Sequence, residues 1–141
     1  MKTALQKLWV TLLAVVSLVA CGSPEPMTDD EATMWVAAYS PERIDMDATI
    51  RIEATDSLIA HLDTTRSLEK VFKFTPSVKG EAHYVDGGRF IDFVPEKGSL
   101  KQGKQYNCRV NMSLLTAIDS LKAFSFDFVV EKRESRLADL R

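Results

Sequence analysis

The segment Phe124–Val130, FSFDFVV, restricts the fold more than any other part of the sequence. Its three phenylalanines alternate with serine and aspartate, and a period of two places all three rings on one face of a β-strand. Each ring contributes roughly 1.5–3 kcal/mol when buried, so a slip of one residue, which would expose all three, is strongly disfavoured. The pattern therefore predicts a strand whose register is held by one buried face.

Two further segments show the same alternation. Apolar residues stand at every second position, with mostly polar residues between them, at Ala48, Ile50, Ile52 and Ala54 and again at Tyr106, Cys108, Val110 and Met112. Another strand is predicted over 71–74, ending at Pro76, because proline has no N–H to donate to a sheet. Residues 55–70 contain scattered leucines and a turn signal, which fit one weak strand or one short helical turn.

The clearest turn signal is Asp86-Gly87-Gly88, which separates two β-rich runs over 82–85 and 89–93. Glycine readily adopts the positive φ of tight turns, so the segment predicts a β-hairpin, and Pro95 is predicted to close its second strand. Tyr106 stands three residues after Gly103, near the start of a strand. There its hydroxyl is predicted to reach back to the backbone of the preceding loop.

These short strands recur about every ten residues, are separated by glycine and proline, and have no long amphipathic helix between them. The organisation predicts an all-β protein, an antiparallel Ig-like β-sandwich of about seven strands.

The N-terminal segment has the layout of a secretory signal peptide. Lys2 and Lys7 give it a basic start, and residues 8–20 are apolar apart from Thr11 and Ser17. As a helix this run would rise only about 20 Å, which is short of the roughly 30 Å hydrocarbon core of a bilayer. The segment is therefore predicted to be an export signal and not a permanent transmembrane span.

The end of this segment, Leu18-Val19-Ala20-Cys21, resembles the lipobox of bacterial lipoproteins. The resemblance implies that the thiol of Cys21 carries a diacylglyceryl group, that the chain is cleaved before Cys21, and that this residue anchors the protein to a membrane. The alternative is an ordinary signal peptide with an incidental cysteine. A lipobox implies the cell envelope, and Gly22, where a retention signal would have aspartate, favours the outer membrane. The periplasmic and surface faces both stay open.

The chain divides into a signal peptide over 1–20, a lipidated tether over 21–33, one sandwich domain over 34–131 and a connector over 132–141. The tether is rich in proline, acidic and small polar residues, a composition typical of flexible segments. Thr28 and Glu31 have the spacing of a capping box that opens a short helix. A first edge strand is the preferred interpretation there, because the rest of the chain is β-rich.

Charge and cysteine content narrow the classes of function. The chain has 18 basic and 20 acidic residues, and removal of residues 1–20, which hold two lysines and no acidic residue, changes the net charge from −2 to −4. Nucleic acid is therefore not a predicted partner. Cys108 alternates with strand residues and is predicted to be a buried, inert thiol without a disulfide partner.

The sequence predicts no catalytic, metal or cofactor site. His61 and His83 are not placed at a zinc-ligand spacing. Asp29-Asp30-Glu31 lacks the glycine turn and spaced oxygen ligands of a calcium loop, so it is interpreted as a solvated acidic run. Because there is neither a phosphate-binding glycine motif nor a Gly-x-Ser-x-Gly elbow, the chain is predicted not to be an enzyme.

Several motifs together resemble one family, the N-terminal macroglobulin-like domain of bacterial alpha-2-macroglobulin-type lipoproteins. They are Phe74-x-Pro76-x-Val78-x-Gly80-x-x-x-Tyr84, Phe90-x-x-Phe93-x-Pro95, Leu100-x-x-Gly103-x-x-Tyr106 and Phe126-x-Phe128, within a likeness that runs from about Trp35 to Val130. The resemblance implies a macroglobulin-like sandwich that is the first module of an envelope protease inhibitor. It also implies two kinds of partner, the following domains of the same protein and a target protease.

The sequence departs from that family in two respects. It contains no Cys-x-Glu-Gln thioester motif, and members of the family are many times longer than 141 residues. The chain is expected to be the leading domain of such a protein, because residues 131–141 are charged like an interdomain connector; a stand-alone relative is the other option. Similar motifs occur in Ig-like repeats of bacterial surface proteins, so an Ig-like surface binding or adhesion domain is the alternative function.

We expect labelled palmitate to be incorporated into the full chain in bacterial cells and incorporation to be lost in Cys21→Ser, because a serine hydroxyl cannot form the thioether of the lipobox reaction. Cys108→Ser is the matched control and should still be labelled. Label that persists in Cys21→Ser would contradict the lipidation site.

Overall fold

The computed structural model describes residues 25–132. Within these residues, two short α-helices and eight strands follow one another: α1 (Asp29–Trp35), β1 (Val36–Tyr39), β2 (Arg43–Ile44), β3 (Ile50–Ala54), α2 (Asp56–His61), β4 (Phe72–Thr75), β5 (Gly80–Val85), β6 (Phe90–Pro95), β7 (Gln105–Val110) and β8 (Phe124–Val130). Single 3₁₀ turns cover Asp86–Gly88 and Met112–Leu114.

The strands form two four-stranded sheets. The first sheet has the order β1-β3-β6-β5 and the second has the order β2-β8-β7-β4. Neighbouring strands are antiparallel except for β2 and β8, which are parallel. This is the strand order of the two sheets of immunoglobulin constant-type domains, with β2 added beside β8. The predicted all-β sandwich is confirmed, with eight strands where about seven were predicted.

Aromatic rings from both sheets fill the space between them. The ring of Phe74 on β4 lies 4.7 Å from that of Phe93 on β6 and 6.2 Å from that of Phe128 on β8, measured between centroids. The predicted alternation of β8 is confirmed, because Phe124, Phe126 and Phe128 are all buried. Every second residue of these strands therefore contributes to the inner face of its sheet.

The predicted hairpin joins β5 to β6. Its turn has three consecutive residues with positive φ, at Asp86 (54°), Gly87 (63°) and Gly88 (95°). Glycine adopts this region without the steric cost that a Cβ imposes, so the Gly-Gly pair is what allows so short a connection. Six pairs of residues, from Gly80 with Pro95 to Val85 with Phe90, follow without a shift of register.

Tyr106 ties the loop before β7 to the core. The residue is 2% exposed, its ring stacks on Phe128 at 5.5 Å, and its hydroxyl accepts a hydrogen bond of 2.9 Å from the backbone N–H of Lys101. The prediction that this hydroxyl reaches back to loop backbone is therefore confirmed.

The N-terminal boundary differs from the prediction. The capping box forms, with the Thr28 hydroxyl accepting from Glu31 N–H, and α1 follows it and continues directly into the edge strand β1. Met27 is buried and its N–H donates to the carbonyl oxygen of Ala123 at 2.8 Å. The folded unit therefore begins at Met27, before the predicted boundary at residue 34. The capping-box alternative is therefore confirmed, and what the polar composition did not reveal is that the helix belongs to the folded unit, because the burial of Met27 depends on a distant segment.

Residues 55–70 contain the short helical turn that was one of their two predicted forms: α2, whose start is capped by the Thr55 hydroxyl accepting from Leu58 N–H. One other element differs from its prediction. β3 begins at Ile50, since Ala48 belongs to a turn closed by its N–H to the carbonyl oxygen of Asp45 at 3.0 Å.

Replacing Tyr106 by phenylalanine is expected to lower the free energy of unfolding by about 0.5–1.5 kcal/mol, because the hydrogen bond to Lys101 is lost while the ring is kept. Urea denaturation measures this. Tyr39→Phe is the matched control, since Tyr39 is 52% exposed, and it should change the value by less than about 0.5 kcal/mol. Equal effects of the two substitutions would contradict the role of the Tyr106 hydroxyl.

Candidate functional site

The predicted lipidation site, Cys21, lies outside the described residues, as do the predicted signal peptide and the start of the tether. Of the helices within residues 25–132, none combines the length and the apolar surface that crossing a bilayer requires.

Cys108 is a core residue of β7. It is fully buried, faces Phe74 on β4 and Phe126 on β8 in the register of the second sheet, and has a free thiol. Burial raises the pKa of this thiol, because the charged thiolate is poorly solvated in an apolar interior. The side chain therefore packs as a small hydrophobic group, and the thiolate needed for nucleophilic chemistry is not formed near neutral pH.

The two histidines lie on different elements and make different contacts. His61 ends α2, with its Nδ1 2.8 Å from the carbonyl oxygen of Ser57 and its ring packed edge-on against Trp35 at 5.6 Å. His83 lies on β5, where its Nε2 is 3.7 Å from a carboxylate oxygen of Glu81. Within the part of the chain that the structure covers, no three His, Cys, Asp or Glu side chains are grouped so that they could hold a metal ion.

The acidic run Asp29-Asp30-Glu31 forms the first turn of α1. Negative charge there is favourable because the helix N-terminus has unpaired N–H groups. The hydrogen bond from the Thr28 backbone lowers the pKa of Glu31, and Lys122 lies 3.6 Å from the same carboxylate. The run is exposed, as predicted, but it forms the start of a helix and is not part of a flexible tether.

An ion pair stands on the outer face of the first sheet. Arg51 on β3 faces Asp92 on β6, and its Nε and one terminal nitrogen donate to the two carboxylate oxygens at 2.7 and 2.8 Å. The guanidinium also lies 4.3 Å from the ring centroid of Phe90. The hydrogen bond to Asp92 raises the pKa of Arg51. In the sequence, Arg51 and Asp92 are two separate polar residues at outward positions of their strands. Their contact follows only from the pairing of β3 with β6.

The four edge strands differ in how well they are protected against pairing with another chain. β1 has a bulge between Val36 and Ala38, β2 has two residues, and β4 has four residues with the exposed Lys73 among them. Bulges, short length and lysine are the usual devices that block edge pairing. β5 is different, because its six residues contain no proline, lysine or bulge.

A groove of about 720 Å³ runs along β5, and we call it the β5 groove. Phe72 and Phe93 are among its apolar lining residues, and Glu69, Glu81 and Glu96 are acidic residues that line it. Gly80 has to be glycine, because a Cβ there would lie 2.4 Å from the carbonyl oxygen of Val94.

A second groove of about 630 Å³, the β8 groove, lies beside β8 and near Tyr39. The N–H of Val129 donates to the carbonyl oxygen of Glu42 at 2.7 Å, next to β2. Because every second residue directs its N–H to the same side, those of Ser125 and Asp127 also point there. In the described part of the chain, β2 pairs with β8 only at Val129 and Val130, so this backbone has no strand beside it.

No protein-family model, curated protein or solved structure significantly matches this chain.

We expect iodoacetamide to modify Cys108 at least about 100-fold more slowly in the native protein than in urea, in a Cys21→Ser background and near pH 8. The reason is that both burial and the raised pKa of the thiol withhold the thiolate. Mass spectrometry of quenched samples measures the rates. Rapid modification of the native protein would contradict the inert role assigned to Cys108.

Proposed function

We propose that this chain is the lipid-anchored first domain of an envelope protein of the alpha-2-macroglobulin protease-inhibitor type. In this role the sandwich is non-enzymatic. It connects the membrane anchor at Cys21 to the following domains and packs against them, and a target protease is engaged by the protein as a whole. The outer membrane is the favoured location.

The path of the chain through the sandwich supports this role most directly. The described chain enters the fold at Met27, whose N–H donates to the carbonyl oxygen of Ala123 immediately before β8. It leaves the fold at Lys132, just after β8 ends at Val130. A strand of seven residues spans about 24 Å, so the two points lie at opposite ends of the domain. This arrangement leaves room for a membrane anchor at one end of the domain and for a following domain at the other.

The other support is chemical. Three side chains of types that often carry chemistry have structural roles in the described fold: Cys108 packs in the core, His61 packs against Trp35, and Glu31 completes the capping box. These roles are those of a scaffold, and the lipobox resemblance at Cys21 supplies the anchor.

The alternative function is an Ig-like surface binding or adhesion domain. The β8 groove favours it, since the unpaired backbone at Ser125 and Asp127 could bind an extended peptide of a partner protein.

The reading frame beyond Arg141 tests the proposal. We expect it to continue into further β-sandwich domains. We also expect the protein encoded by the extended frame to protect a large protein substrate from proteolysis, whereas the chain of 141 residues alone gives no protection. A stop codon directly after Arg141, together with capture of extended peptides by the β8 groove, would support the binding domain instead.

A further inference from the structure

The open side of β5 offers three residues with unused backbone groups. Glu96 N–H donates to the carbonyl oxygen of Lys79 at 2.7 Å, so Lys79 and every second residue after it bond to β6. The N–H and C=O groups of Gly80, Ala82 and Tyr84 consequently point away from β6. No strand among residues 25–132 lies on that side, because β5 ends the order of the first sheet.

We propose that β5 pairs antiparallel with β5 of a second copy of this chain, about a two-fold axis at Ala82. This joins two first sheets into one continuous sheet of eight strands. The inference goes beyond the proposed function and does not depend on it.

The register follows from which residues then face each other. With the axis at Ala82, that residue faces the partner's Ala82, and Gly80 faces the partner's Tyr84. All three residues with unused backbone groups are hydrogen-bonded in this register. An axis at Gly80 or at Tyr84 would leave about half of β5 without a partner, because the strand is only six residues long.

Charge complementarity on the outer face supports a second copy as the occupant. The same register places Glu81 opposite the partner's His83, and the two-fold axis creates this pair twice. In an antiparallel pair that is not directly hydrogen-bonded, facing Cβ atoms lie about 4.5–5.5 Å apart, which suits a carboxylate and an imidazole. Within one copy these two side chains lie 3.7 Å apart, and they are 82% and 54% exposed, so both are accessible to a second copy.

The small residues of β5 also favour close approach of a second strand. Gly80 has no Cβ, and its inner side is filled by the carbonyl oxygen of Val94 and the ring of Phe93, which a Cβ would meet at 2.4 and 2.7 Å. Ala82, the residue on the proposed axis, has a small side chain that lets the two backbones approach.

Sedimentation equilibrium of the full chain in a Cys21→Ser background, which removes the lipid, tests the proposal. We expect the average mass to rise from monomer to dimer with concentration. Glu81→Lys should weaken dimerisation at least about tenfold, because the carboxylate that faces the partner's His83 is replaced by a cation. Glu81→Lys combined with His83→Glu should restore it, since each lysine again faces a carboxylate.

Glu42→Lys is the matched control, because it makes the same change of charge beside β8 and should leave the dimer unaffected. The proposal would be overturned if the Cys21→Ser chain without further substitutions stays monomeric up to about 1 mM, or if Glu81→Lys does not weaken its dimer.

The register is tested with introduced cysteines. In the same background, chains with Glu81→Cys mixed with chains with His83→Cys should form a disulfide-linked heterodimer under mild oxidation, because these positions face each other at disulfide distance. Each variant alone should cross-link at least about tenfold less. Equal cross-linking in the mixture and in the separate variants would overturn the register centred on Ala82. Cys108 does not interfere, because it is buried.

Discussion

The contacts of Phe93 on β6 with Phe72 and Phe74 on β4 hold the two sheets of this protein together. Each sheet has one apolar face that is stable only when another layer covers it. The buried aromatic rings lie on β4, β6, β7 and β8, so strands that are distant from one another in the sequence contribute to one interior. The other features of the fold depend on that interior. Tyr106 stacks on Phe128 and thereby positions the loop that its hydroxyl binds, and Cys108 is inert because it lies among the same rings.

Each sheet of the sandwich still has edge strands, and these differ in how well they are protected against pairing with another chain. Three of them are short, bulged or carry an exposed lysine, which keeps them from pairing with other chains. β5 has six residues without bulge, proline or lysine, and in the proposed pairing its Glu81 faces the partner's His83. The proposed anchor at Cys21 would favour such pairing, since anchoring confines copies of a protein to one surface and raises their local concentration. The proposed spacer role and the proposed self-pairing are compatible, because the described chain enters and leaves the fold near the ends of β8 and not along β5.

The sequence predicted much of the fold because its strongest signals are local. Alternation identified β7 and β8, and the Asp-Gly-Gly turn identified the β5–β6 hairpin, since both signals reflect what a few neighbouring residues can adopt. The N-terminal boundary was missed for the opposite reason. Met27 is buried against a segment near residue 123, and no local pattern reveals which single methionine a distant part of the chain will cover.

The sequence by itself determined that the chain is all-β, that Cys108 is a core thiol, and that the segment before Cys21 resembles an export signal with a lipid-attachment site. Only the tertiary structure decided that α1 belongs to the folded unit, that Arg51 pairs with Asp92, and that β5 is the long unprotected edge. The physical reason is that periodicity fixes which face of a strand is apolar. The neighbours of that strand depend on how all eight strands share one core, and this is a property of the whole chain.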